Sequence, residues 1–168
     1  MTLVELYRYI KSDLKRIAGN NFTRMIYCLY FNMQLRLILN YRIGRYLHCN
    51  RNFLYTIIIS FLKKRQIRNY GCDISYNSKI GKEIKFPHPT GIVIGNNCEI
   101  GDGVMIWQNV TLGSSGRKEK KYPVLKNQVK VYTGSVLVGD ITIGENAIIG
   151  AMTYVNKSVK PNSVYFER

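Results

Sequence analysis

Histidine is almost missing from this chain: His48 and His88 are the only two in 168 residues. A zinc site built on three imidazoles is therefore excluded, and no metal is expected. Acids are scarce as well, ten against twenty-five lysines and arginines, for a formal charge of +15. The four cysteines (Cys28, Cys49, Cys72, Cys98) form no CxxC pair and show no regular spacing. That argues against a disulfide or zinc framework and fits a reducing compartment. Long apolar runs are missing too. The richest, Phe53 to Leu62, is too short to cross a bilayer. The opening MTLVELYRYIKSDLKR lacks the apolar centre of a signal peptide. A cytoplasmic protein is expected.

The positive charge is unevenly placed. Residues 1–70 hold 13 Lys and Arg against Glu5 and Asp13, a net +11, whereas residues 71–168 carry a net +4. Such a segment favours anionic partners. Nucleic acid is set aside, because no recognisable binding module accompanies the charge. Two readings of the basic segment stay open: a solvated face on a small helical bundle, or peripheral docking on an anionic membrane leaflet.

Residues 1–70 read as helices. Thr2-Leu3-Val4-Glu5 has the form of a capping box, and Leu3, Leu6, Tyr7, Ile10, Leu14 and Ile17 follow at helical spacing until Gly19 offers a stop. A second helix is expected from about Thr23 to Leu47 and a third from about Phe53 to Arg68.

From residue 71 the pattern changes. An aliphatic residue returns every sixth position at Ile94, Ile100, Ile106 and Leu112, and again at Leu125, Val131, Leu137, Ile143, Ile149 and Val155. A small or β-branched residue follows four positions behind each, as at Cys98, Val104, Val110 and Ala147. A fixed short period of this kind marks a parallel β-helix, in which each hexapeptide is one strand and one turn, and about 18 residues make a coil. An earlier phase covers Ile74, Ile80 and Phe86, then slips by two residues at Ile92-Val93-Ile94. The slip reads as a bulge or corner. The expected organisation is a basic helical segment, 1–70, followed by an all-β solenoid domain, 71–168.

Two features stand outside the packing pattern. Between Leu112 and Leu125 the period is interrupted by GSSGRKEKKYPV, which predicts an external loop at about 113–124. The other is His88, in KFPHPTGIVIG at the phase slip, where a side chain is aimed outward. Asp73 lies fifteen residues back, near the same corner one layer away, where a carboxylate orients an imidazole for general-base work.

The stretches DISYNSKIGKEIKFPHPTGIVIG, CEIGDGVMIWQNVTLGSSG and VGDITIGENAIIGA resemble the hexapeptide-repeat acyltransferases, in their serine acetyltransferase-like branch. The resemblance implies a left-handed parallel β-helix, a homotrimer with sites between subunits, and acetyl-CoA as co-substrate. By motif position His88 matches the general base and Asp73 its orienting carboxylate. Gly113 and Ser114 match the turn whose backbone N–H meets the oxyanion. Thr133 and Ala151 match positions along the pantetheine arm, and Arg117, Lys118, Lys120 and Lys121 are candidates for the CoA phosphates. Pro87, Trp107 and Tyr122 are candidate acceptor-binding residues. Pro87 stands where serine acetyltransferases carry Asp, and Tyr122 where they carry a second histidine. Those departures lead to the expectation that the acceptor is a sugar hydroxyl in bacterial surface polysaccharide assembly. Serine acetylation, acetylation of a nucleotide-sugar amine and a non-catalytic scaffold are the alternatives.

Overall fold

The computed structural model describes residues 1–116 and 121–166. Among them are helices α1 (Leu3–Ala18), α2 (Phe22–Phe31), α3 (Met33–Cys49) and α4 (Phe53–Tyr70). The Thr2–Glu5 capping box is closed in both directions, and Gly19, at φ 71°, ends α1. The second expected helix is in fact two. Asn32 leaves the helical region (φ −85°, ψ 106°), ends α2, and caps α3 with its side-chain oxygen on the Leu35 N–H. A short amide side chain that bonds local backbone competes with the helix, and here it prevails over a continuous apolar pattern.

The strands that follow are short: β1 (Asp73–Ile74), β2 (Lys79–Ile80), β3 (Val93–Ile94), β4 (Glu99–Ile100), β5 (Met105–Ile106), β6 (Thr111–Gly113) and β7 (Val124–Leu125). Then come β8 (Lys130–Val131), β9 (Val136–Val138), β10 (Thr142–Ile143), β11 (Ile148–Ile149), β12 (Tyr154–Val155) and β13 (Val164–Tyr165). They form three parallel sheets: β1-β3-β6-β9-β12, β2-β4-β7-β10 and β5-β8-β11-β13. The chain visits the first, second and third sheet in turn and then begins again, which is the path of a three-sided solenoid. The aliphatic period lines its interior, with Ile94, Ile106, Leu112, Leu137 and Ile149 fully buried in one continuous core.

Register explains the irregularities of the sequence. Ile94 pairs with Leu112 and Leu137 with Val155, each eighteen residues on. Ile74 pairs with Ile94, twenty residues on, so the first coil holds two extra residues, which fall in the corner around His88. Leu112 pairs with Leu137, so the loop adds seven residues to its coil without shifting the stack. Both departures are absorbed at corners.

The first coil exposes a sheet edge, and the helices cover it. Lys63 Nζ donates to Ile74 O (3.0 Å), Arg45 to Tyr76 O (2.8 Å), Tyr41 Oη to Ser78 O (2.6 Å) and Arg42 to Ile80 O (2.6 Å). In the other direction, Ile74 N–H donates to Gln66, Phe86 N–H to Gln34 and Glu83 N–H to Asp13. An unpaired strand edge is a template for unwanted association, and a terminal repeat needs a cap. Arg42, Arg45 and Lys63 of the helical segment therefore serve as hydrogen-bond donors to the solenoid rather than lying on a solvated face.

Burial also settles the cysteines. It pushes the Cys98 thiol up to about 12 and raises Cys72 as well. Thiolate is the reactive form, so alkylation of the folded protein at pH 8 is expected to label exposed Cys49 and spare Cys98 until denaturant is added. Peptide mass spectrometry reads the result.

Candidate functional site

The two-residue insertion after Phe86 makes the corner Pro87-His88-Pro89-Thr90-Gly91. Phe86 and Pro89 point inward and are buried, and His88 between them is exposed. The backbone is held by Thr90 N–H to His88 O (2.7 Å) and by Gly91 N–H to Gly71 O (3.1 Å). The imidazole has no hydrogen-bond partner among the described residues and stands at the lip of a recess of about 460 Å³, opposite the α2–α3 junction.

The same corner recurs on the coils above. Trp107 follows β5, Tyr132 and Thr133 follow β8, and Ala151 follows β11. Trp107 and Tyr132 stack with ring centroids 4.4 Å apart. Thr133 Oγ1 donates to Gln108 O (3.1 Å), and Met152 N–H donates to Thr133 O (2.8 Å). Gln108 Oε1, next to Trp107, is buried without a partner among the described residues. Pro87, His88, Trp107, Thr133 and Ala151 thus lie along one edge of the first sheet.

Gly113, Ser114 and Tyr122 lie along the other edge, where the chain leaves the first sheet for the second. Gly113 is the last residue of β6, and its carbonyl accepts from Gly139 N–H. The Ser114 amide donates to none of the described residues, as an oxyanion donor requires. The Tyr122 ring lies against Gly95, leaving no room there for a Cβ. Lys121 pairs with Asp140 (2.7 Å). Arg117, Lys118 and Lys120 lie outside the described residues.

Asp73 is placed differently from expectation. Its carboxylate is held by Lys63 of α4 in a half-exposed ion pair, and no hydrogen bond joins it to His88. With Tyr122, His48, Gly95 and Lys63 it lines a separate cleft of about 570 Å³. One chain therefore presents the candidate residues in two groups, on opposite edges of a single sheet. Lys63 is the residue that the sequence did not single out; its helical spacing makes it look like any solvated cation. Among the described residues no cluster of three or more His, Cys, Asp or Glu is arranged to hold a metal.

Residues 122–157 match the family of bacterial transferase hexapeptide proteins (six repeats). Over that stretch the coils match hexapeptide-transferase repeats. The chain is 37% identical over 126 residues to a serine acetyltransferase of Staphylococcus epidermidis, covering 74% of this chain and 58% of that protein. It is 41% identical over 86 residues to the serine acetyltransferase of Bacillus subtilis, covering 51% of this chain and 40% of that protein. Among solved structures, soybean serine acetyltransferase complexed with serine aligns with a TM-score of 0.85 at 26% identity, over 97% of this chain and 67% of that one. The chain thus spans between 40% and 58% of the length of these two curated relatives.

These likenesses correct the expected acceptor. The relatives named are serine acetyltransferases, so the sugar hydroxyl and the polysaccharide setting inferred from Pro87 and Tyr122 are set aside. Pro87 and Tyr122 do not by themselves exclude an amino acid. A proline keeps its carbonyl as a hydrogen-bond acceptor, and a tyrosine keeps a hydroxyl, so neither residue removes polar recognition from an amino-acid site.

Proposed function

We propose that the chain transfers acetyl from acetyl-CoA to the hydroxyl of serine. The observation that carries this is its likeness to serine acetyltransferases across the coils that bear the His88 corner and the Ser114 turn. His88 takes the proton of the seryl hydroxyl as that oxygen attacks the thioester carbon. The oxyanion of the tetrahedral intermediate accepts a hydrogen bond from the Ser114 N–H. Collapse breaks the carbon–sulfur bond, and the CoA sulfur leaves with the proton that His88 returns. The thioester is already activated, so a base and an oxyanion donor suffice.

A site shared between subunits fits the two groups of residues. In a homotrimer with left-handed coils, the His88 edge of one copy faces the Ser114 and Tyr122 edge of the next. Thr133 and Ala151 then line the approach of the pantetheine arm. The supply of acetyl-CoA makes the cytoplasm the working compartment.

CoA release from acetyl-CoA and L-serine tests the proposal. Turnover is expected with the native chain and should fall steeply in His88→Ala. A chain that binds acetyl-CoA but leaves L-serine untouched would refute it. Pro87→Asp should place a carboxylate where the ammonium group arrives and lower KM for serine about tenfold, the scale of one charge-assisted hydrogen bond.

A further inference from the structure

Helix α4 is apolar on both sides. Leu62, Gln66 and Tyr70 are buried, and Tyr55 and Ile59 pack against the same core. The opposite side carries Phe53, Leu54, Ile57 and Phe61, which are 85%, 61%, 55% and 68% exposed. Residues 53, 57, 61, 64 and 68 fall on one helical stripe, so the apolar run continues into exposed Lys64 and Arg68. A helix that is apolar all round is normally covered.

Charge says by what. From Leu14 to Cys72 the chain holds no acid and eleven lysines and arginines. The two nearest acids do not compensate: Asp13 is buried on Arg42, and Asp73 is held by Lys63. A second copy meeting this face through a two-fold axis would set cation against cation. Lys64, Arg65 and Arg68 with Phe61 border a recess of about 680 Å³, the size and sign to receive a phosphate headgroup. Aromatic and aliphatic residues beside basic ones are the pattern of a helix lying in a membrane interface. No helix among the described residues is long and apolar enough to cross a membrane, so the chain would lie on the surface.

We propose that the outer side of α4 docks on an anionic phospholipid surface. Phe53, Ile57 and Phe61 enter the boundary between headgroups and acyl chains, and Lys64 and Arg68 meet lipid phosphates. This is independent of the acceptor.

The test is flotation of the full chain with vesicles of equimolar phosphatidylcholine and phosphatidylglycerol, against phosphatidylcholine alone. The chain should float with the anionic vesicles only, and less as salt is raised. Lys64→Glu with Arg68→Glu, both on the surface, should weaken binding about tenfold or more. Ile57→Ser with Phe61→Ser should weaken it comparably, with unchanged thermal melting to show that the fold persists. Failure of the native chain to float would overturn the proposal, as would equal binding to both vesicle types or indifference to both double variants. So would a native chain that stays in solution while Ile57→Ser with Phe61→Ser halves its mass by light scattering, since a second copy would then be the cover.

Discussion

His88→Ala is expected to lower kcat/KM for acetyl transfer by about 100- to 10,000-fold, the usual worth of a positioned general base. The fold should not register the change. The imidazole is exposed, makes no hydrogen bond with the described residues, and sits in a corner whose backbone is held by Thr90, Gly91 and Gly71. CoA release measures the first expectation and a thermal melt the second. Asp73→Asn should cost less, because its carboxylate is engaged by Lys63 and makes no hydrogen bond with His88 in the single chain. A His88→Ala protein with full activity would remove the proposed base.

Arg42→Ala is expected to destabilise the chain by about 3–5 kcal/mol, the cost of breaking a buried ion pair from one side. Arg42 is buried and donates to Asp13 Oδ2 (2.8 Å), Ile80 O (2.6 Å) and Gly81 O (2.5 Å), with its guanidinium 4.5 Å from the Tyr9 ring centre. Burial pushes the Asp13 carboxyl up, and Arg42 together with the backbone of Glu83 and Ile84 pulls it back. Without Arg42, Asp13 keeps the penalty and loses the principal compensation, while two edge carbonyls lose their donor. Removing both charges, as Arg42→Met with Asp13→Leu, should cost less than Arg42→Ala alone, because an apolar pair leaves no orphaned ion. Urea denaturation of the three proteins decides it. A loss below about 1 kcal/mol would show that the helices do not depend on this contact.

What could be read in advance follows from how local each signal is. The solenoid was legible because Ile94, Ile100, Ile106 and Leu112 each repeat one local rule. The corner at His88 was legible because two added residues disturb that rule where they occur. The break at Asn32 was not, since the apolar pattern runs straight through and only a side-chain cap reveals it. The roles of Arg42, Arg45 and Lys63 were not legible for another reason. Each donates to a backbone carbonyl some ten to forty residues away, and a carbonyl has no residue type to read. The acceptor was misjudged because side-chain identity at Pro87 and Tyr122 says little about the polar atoms that remain there.

The helical lid on the first coil has a consequence for how such a chain can vary. The sheets stack each coil on its neighbours, and the hydrogen bonds described from the helices tie down the first coil, from Ile74 to Phe86. The histidine corner sits directly on that fixed end. Turns of the spiral can therefore be added as modules beyond the coil that carries Ala151, each leaving the fixed end undisturbed. Length beyond Ala151 is a free variable in this architecture, and the histidine stays at the end that cannot change.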